Sequence, residues 1–314
     1  MMLRAAVIGV GRMGQHHARV YAEMEDVRLV AVADVDEKRA REISRKHGGK
    51  PYAYAEALCQ EAKPDVVSIA TPTAYHGVVK TVLEHGAHAL IEKPIAATLG
   101  DATDYVVLAR ERQAVLAVGH IERYNPAVIA AKKVLDRREL GDVYHMGFRR
   151  LGPAPKRIRD VGVTLDLATH DLDLAHYLAD SKPSRVCGVQ QFIRHKNLDD
   201  SIGGWVMFQS GVMALVMADW LTAAKIRRAT ITCEKGVLLL DLIAQAATVY
   251  RNTDHDAYTV PIAKKEPLRT ELEEFCKAVR GEETNIATGE DGLIALQMAL
   301  GLCASAKETM ILHL

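Results

Sequence analysis

Acid–base chemistry needs a group that takes a proton and a group that steadies the negative charge left behind. The sequence offers both. Asp166 and His170 stand four residues apart, one helical turn, so the carboxylate can orient an imidazole, a group that titrates near neutrality. Lys93 closes an apolar run at 87–91 in the sequence Glu92-Lys93-Pro94. That places an ammonium at the carboxyl end of a buried strand, where open α/β sheets hold their ligands. Pro94 keeps the Lys93 backbone out of the helical region and permits a cis bond. Each feature alone has a plainer explanation: a solvated turn, and a core histidine satisfied by its neighbour. A desolvated lysine can also act as base, so the roles of Lys93 and His170 stay interchangeable at this level.

The helix expected over 164–179 adds weight. At 100° per residue, Asp166, His170, Asp173 and Tyr177 fall within about 60° of one another, and most of the remaining circumference is Leu and Ala. A helix of this kind is mostly buried, and its narrow polar stripe needs a polar cavity to face.

An alternating frame positions Lys93. The apolar strand Leu3–Ile8 runs into Gly9-Val-Gly11-Arg12-Met13-Gly14, and Met13, His17, Val20, Tyr21 and Met24 then recur at helical spacing. Strand, glycine fingerprint and helix together form a dinucleotide site, because the glycines let the backbone approach a pyrophosphate. Strand Val27–Ala33 ends in Asp34, twenty residues beyond Gly14. An acid there accepts both adenosine ribose hydroxyls and repels a 2′-phosphate, favouring NAD over NADP, although Lys38 and Arg39 lie close by. Asp36, rather than Asp34, suits the cap of helix Glu37–His47. Helix Ala55–Ala62, a strand at 65–70 ending in Thr71-Pro72-Thr73, and a helix at 76–85 follow. Next come the Lys93 strand, a helix opened by the Thr98-x-x-Asp101 box, and a strand at 114–118. This repetition predicts a doubly wound parallel sheet over residues 1–121. The expected cofactor contacts are Gly9, Gly11, Arg12, Met13, Gly14, Asp34, Thr71, Pro72, His76, Glu92 and Lys93.

After Gly119-His120 the character changes, and residues 122–314 read as a second, α+β domain. Asn125-Pro126 opens a helix to about 138. A strand at 143–150 enters a loop in which Arg149, Arg150, Lys156, Arg157 and Arg159 meet no acid before Asp160, a charge bias suited to phosphate. Strands expected at 185–194, 204–209, 212–221, 227–233, 237–242, 248–251 and 258–262 make a large, mostly antiparallel sheet. One face takes the helices, and the apolar residues on the other suggest burial against a second subunit. Helices at 268–280 and 289–309 finish the chain.

Composition narrows the class. With 314 residues, 40 basic and 40 acidic side chains, the chain suits two domains and carries no global charge toward nucleic acid or anionic membrane. Five scattered cysteines form no metal-ligand cluster. The absence of a leader or of a bilayer-length apolar run makes a cytoplasmic protein the expectation, with no metal.

The order Gly9-x-Gly11-x-x-Gly14, Asp34, Thr71-Pro72, Glu92-Lys93-Pro94, Asp166-x-x-x-His170 resembles the glucose-fructose oxidoreductase / inositol dehydrogenase / rhizopine-catabolism (Gfo/Idh/MocA) family over essentially the whole chain. The resemblance implies a Rossmann domain followed by an α+β domain with a large open sheet, paired into dimers or tetramers. It also implies that Lys93 and His170 are catalytic and that Asp166 supports them. Within the family, the stretches at 119–126 and 157–163 look most like enzymes that oxidise C3 of UDP-N-acetylglucosamine. Their keto product passes to an aminotransferase, as in one lipid A route. The substrate contacts implied are Tyr124, Asn125, Arg150, Arg157, Arg159, Asp160 and His170. An inositol or other uncharged sugar is the alternative substrate, and a non-catalytic nicotinamide-binding regulator is the alternative of another class.

Overall fold

The computed structural model describes residues 2–154, 161–253 and 257–314. The expected contacts Arg157, Arg159 and Asp160 lie outside the described residues. By internal contacts the chain divides into two units, residues 1–120 with 268–293, and residues 121–267 with 294–314.

In the first unit, mostly apolar runs become largely buried strands, with a short polar one at the sheet edge. They are β1 (Leu3–Ile8), β2 (Val27–Ala33), β3 (Lys50–Tyr52), β4 (Val66–Ile69), β5 (His88–Glu92) and β6 (Leu116–Gly119). They pair in the order β3-β2-β1-β4-β5-β6, all parallel, and the helices α1 (Gly14–Glu23), α2 (Glu37–His47), α3 (Ala55–Ala62), α4 (Val78–Glu84) and α5 (Leu99–Glu111) alternate with them. The reversal of order between β1 and β4 is the switch point where such sheets bind ligands. Local caps set the helix starts. Asp36 accepts the N–H groups of Lys38 and Arg39, and Thr98 Oγ accepts Asp101 N at 3.1 Å while donating to its carboxylate at 2.7 Å.

In the second unit the chain forms α6 (Pro126–Asp136), β7 (Val143–Pro153), α7 (Thr169–Ala179), β8 (Pro183–Gln191), β9 (Ser201–Phe208), β10 (Met213–Asp219), β11 (Leu221–Cys233), β12 (Gly236–Asp241), β13 (Ala246–Arg251) and β14 (Ala257–Thr259). Helices α8 (Pro267–Val279) and α9 (Gly289–Glu308) and the short β15 (Leu312–His313) follow. Among the described residues the sheet runs β14-β13-β12-β11-β7-β10-β9-β8-β15, antiparallel except where β10 lies parallel to β7. Val128 and Ala131 of α6, Leu172 and Ala175 of α7 and Leu302 of α9 form one core with Phe148, Val206 and Ile231 of the sheet. The other face stays open. Val189, Leu215, Met217 and Leu239 are 69, 45, 45 and 39 % exposed, around a depression of about 860 Å³.

Three expectations need correction. Residues 268–293 belong with the first unit rather than the second. Arg269 and Arg280 pair with Glu23 and Asp26, Val118 N donates to Ala287 O, and Ala117 bridges Thr288. The helix expected over 76–85 is shorter, starting at Val78 and ending at Glu84, with a separate 3₁₀ turn at Thr73–Tyr75 ahead of it. The helix expected over 164–179 opens with a π turn, Thr164–Ala168, before α7. Among the described residues no helix is long and apolar enough to cross a membrane.

Candidate active site

Two of the three fingerprint glycines answer steric demands within the fold. Gly9 has φ +82°, and a Cβ there would stand 2.8 Å from Thr71 N. A Cβ on Gly14 would stand 1.9 Å from the Gly9 carbonyl oxygen, so only glycine lets α1 start this close to β1. A Cβ on Gly11 would meet nothing within 4 Å. Gly11 therefore turns bare backbone toward open space, the cradle a pyrophosphate requires. Arg12 beside it is exposed and Met13 half-buried.

Asp34 follows β2, 8 % exposed, and accepts Val10 N at 3.0 Å and Asp36 N at 2.9 Å. Its carboxylate thus holds the fingerprint loop itself. The Arg39 guanidinium lies 3.3 Å away and is half-exposed. Pro72 is exposed, and the buried Thr71 hydroxyl beside it has no hydrogen-bond partner, the kind of orphan a bound group can satisfy. These residues fit NAD: a bare-backbone cradle, a buried carboxylate and an unused hydroxyl sit at the carboxyl ends of β1, β2 and β4.

At the end of β5, Glu92 Oε1 lies 3.2 Å from Nε2 of His17, a fully buried side chain on α1. Burial pushes the Glu92 carboxyl up, but the His17 hydrogen bond and the nearby Lys93 and His76 outweigh it and hold the carboxyl below its ordinary range. Lys93 follows, half-buried, and its bond to Pro94 is cis. His76 does something other than expected. Its ring is 1 % exposed, with Nδ1 3.2 Å from Ile95 O and Nε2 3.1 Å from Thr71 O. It ties the end of β4 to the turn after Lys93, and neither ring nitrogen is left for a cofactor. Burial lowers its pKa, with the carbonyls of Ile95 and Thr71 and the nearby Glu92 opposing it.

The second unit holds the aspartate–histidine pair. Asp199 anchors the start of its helix, accepting the N–H of Thr164 at 2.9 Å and its hydroxyl at 2.5 Å. The π turn follows at once and carries Asp166, 7 % exposed, while half-buried His170 lies in the first turn of α7. A π turn winds more slowly than an α helix, so Asp166 is offset from the arc drawn at 100° per residue.

The rest of the expected stripe is spent on the fold. Arg123 grips Asp173 through three hydrogen bonds of 2.6–3.1 Å and lies 4.9 Å over the Tyr177 ring. Arg150 is committed as well. It is 3 % exposed and donates to Asp171 at 2.9 and 2.7 Å and to Glu122 at 2.7 Å. Burial would lower its pKa, but the two carboxylates outweigh that and hold it charged. Arg150 is therefore not available to a diphosphate, a correction to the sequence reading. Asn125 is likewise occupied. Its oxygen caps Ala127 N and its amide donates to Leu242 O at 2.9 Å. Tyr124 beside it is 3 % exposed.

Sequence reasoning missed His17, Glu122, Arg123 and Asp171. One signal was present for His17: a histidine on the apolar Val20–Tyr21 face of a helix must find a buried partner. Arg123 and Glu122 gave none, since their partners lie 50 and 28 residues away.

Residues 3–120 match the model of an oxidoreductase family with an NAD-binding Rossmann fold, and residues 128–239 match the GFO/IDH/MocA C-terminal domain. The chain belongs to the GFO/IDH/MocA oxidoreductase family, with NAD as its cofactor. It is 30 % identical to the UDP-N-acetylglucosamine 3-dehydrogenase of Acidithiobacillus ferrooxidans, across 95 % of each chain. The crystal structure of the Acidithiobacillus ferrooxidans enzyme superposes with a TM-score of 0.90 at 29 % identity, over 98 % of this chain and 99 % of that one. The scyllo-inositol 2-dehydrogenase (NAD(+)) of Bacillus subtilis is 26 % identical over 99 % of this chain and 96 % of its own.

Proposed function

We propose that this protein oxidises the C3 hydroxyl of a UDP-sugar, UDP-N-acetylglucosamine, to the 3-keto sugar. The observation that carries this reading is the likeness to the Acidithiobacillus ferrooxidans enzyme over nearly the full length of both chains. The intact set of Lys93, Asp166 and His170 supports turnover over a purely regulatory role. Bound NAD supplies the hydride acceptor.

In this proposal His170 takes the hydroxyl proton, Asp166 orients the imidazole and stabilises its cation, and Lys93 donates to the same oxygen as charge develops. With Arg150 engaged elsewhere, the grip on the diphosphate passes to Arg157 and Arg159. The apolar open face of the nine-stranded sheet supports assembly into a dimer or tetramer. Five free thiols fit a reducing, cytoplasmic setting. The keto product would serve an aminotransferase.

A second reading, oxidation of an inositol or other uncharged sugar, draws support from the loss of Arg150 as an anion ligand and from the Bacillus subtilis relative. Absorbance at 340 nm with NAD and a panel of UDP-sugars, inositols and free hexoses separates the readings. Reduction with UDP-N-acetylglucosamine is expected. Reduction with inositols alone selects the second reading, and none with any sugar removes both.

A further inference from the structure

Two arginines of the second unit hold acids of α7 with the same edge. Arg123 turns its Nε and Nη2 to Asp173, and Arg150 turns its Nε and Nη2 to Asp171. That edge is the planar fork with which a guanidinium grips an oxyanion.

Arg227 stands opposite Arg150 where β11 pairs with β7. Opposed residues of an antiparallel pair point to one side of the sheet. Since Arg150 meets Asp171 of α7, Arg227 lies on the helix-covered face as well. The neighbouring pair, Arg149 and Arg228, lines the depression on the open face instead.

Arg227 uses its guanidinium differently from the other two. Its Nη1 donates to Leu151 O at 2.8 Å and to Ile226 O at 2.9 Å, which fixes the plane of the group. Among the described residues, Nε and Nη2 have no hydrogen-bond partner and no acid forms an ion pair with the side chain. The side chain is half-buried, so this edge is open to a ligand. Burial and the like charge of Arg150 lower its pKa, with Asp171, Glu122 and Asp166 opposing. A guanidinium stays charged all the same. Asp171 and Glu122 are engaged by Arg150, and the attraction of Asp166 places the cation near the aspartate–histidine pair.

We propose that Arg227 is a substrate-binding residue whose open Nε–Nη2 edge takes phosphoryl oxygens of the diphosphate carried by the sugar. This inference rests on the UDP-sugar reading and deepens it. It names a cation of the second unit for the role that Arg150 does not fill. It also separates nucleotide sugars from uncharged polyols, which bring no charge to the fork. Because two carbonyls already hold the guanidinium, little side-chain freedom is lost on binding.

The test uses the full chain saturated with NADH, so that the cofactor site is filled and takes none of the probe. UDP is titrated by calorimetry into wild type, R227Q and R227K. R227Q should weaken UDP binding by about tenfold or more, the worth of a lost charge-assisted hydrogen bond. R227K keeps the charge but loses the fork, and its affinity should fall between the two. In turnover, KM for UDP-N-acetylglucosamine should rise by a similar factor, with kcat changed by less than about threefold.

A cation that only balances the buried acids would give a lower urea midpoint in R227Q and an unchanged UDP affinity. Equal affinity in wild type and folded R227Q therefore overturns the proposal and leaves the dehydrogenase reading standing. Should R227Q not fold, R227K carries the test, and wild-type affinity in R227K overturns the proposal equally. A wild type that binds UDP through Arg227 yet oxidises no UDP-sugar removes the C3-oxidation reading and keeps the phosphate site. A wild type that binds no UDP removes both.

Discussion

Arg150 donates through Nε and Nη2 to one oxygen of Asp171, at 2.9 and 2.7 Å, with the two side chains 3 and 2 % exposed. Removing one member of such a pair leaves the other charge buried and unanswered. Arg150→Ala is therefore expected to destabilise the protein by about 3–5 kcal/mol, read by urea denaturation. The basic residues Arg157 and Arg159 should behave oppositely. Arg157→Ala with Arg159→Ala should raise KM for a UDP-sugar about tenfold or more and spare stability. A stable Arg150→Ala protein with a raised UDP-sugar KM would return Arg150 to the substrate site.

His170→Ala should lower kcat by about 10²–10⁴-fold, the usual worth of a positioned general base. NADH binding, followed by fluorescence titration, should be unaffected, since His170 belongs to the second unit and the fingerprint to the first. Equal turnover in the variant would remove His170 from the chemistry.

Asp34 braces the fingerprint loop through Val10 N, and in the proposed reading it also sets cofactor choice. Asp34→Ala should cut the preference for NAD over NADP by about tenfold or more, the worth of one or two charge-assisted hydrogen bonds. Arg39, 3.3 Å away, is then free to meet a 2′-phosphate. The ratio of kcat/KM for the two cofactors reads the change, and an unaltered ratio would refute the role.

Asp200 should govern part of the acid stability. Burial pushes its carboxyl up, but the N–H and ring of His195 and the N–H groups of Arg194 and Ile193 outweigh it and pull the pKa down to about 2. A carboxylate depressed in the folded state stabilises at every pH above its unfolded value, near 3.9, and that contribution fades as pH falls toward about 2. Its size is roughly 2 kcal/mol. Asp200→Asn should flatten the decline in unfolding free energy between about pH 4 and pH 2, measured by denaturant titration. A variant with the wild-type slope would show that another group controls it.

Much of the first unit was legible because its signals are local. Fingerprint glycines, the caps Asp36 and Thr98, and unbroken apolar strands each act through neighbours a few residues away, where spacing alone fixes geometry. Lys93 at a strand end and Asp166 one turn from His170 are statements of the same kind. The electrostatic environment was not legible. Whether Arg150 meets a substrate or Asp171, whether Asp173 lines a cavity or holds Arg123, and whether His76 faces a cofactor or two carbonyls depends on partners brought from distant positions. A buried charge takes whichever counter-charge the packing delivers, and periodicity carries no record of that choice. The π turn at Thr164–Ala168 belongs here too, since Asp199, 35 residues from Thr164, anchors it. Residue types and spacing thus determined the family and nominated the reacting groups, while the tertiary structure alone decided which of the expected charges are taken up by the fold.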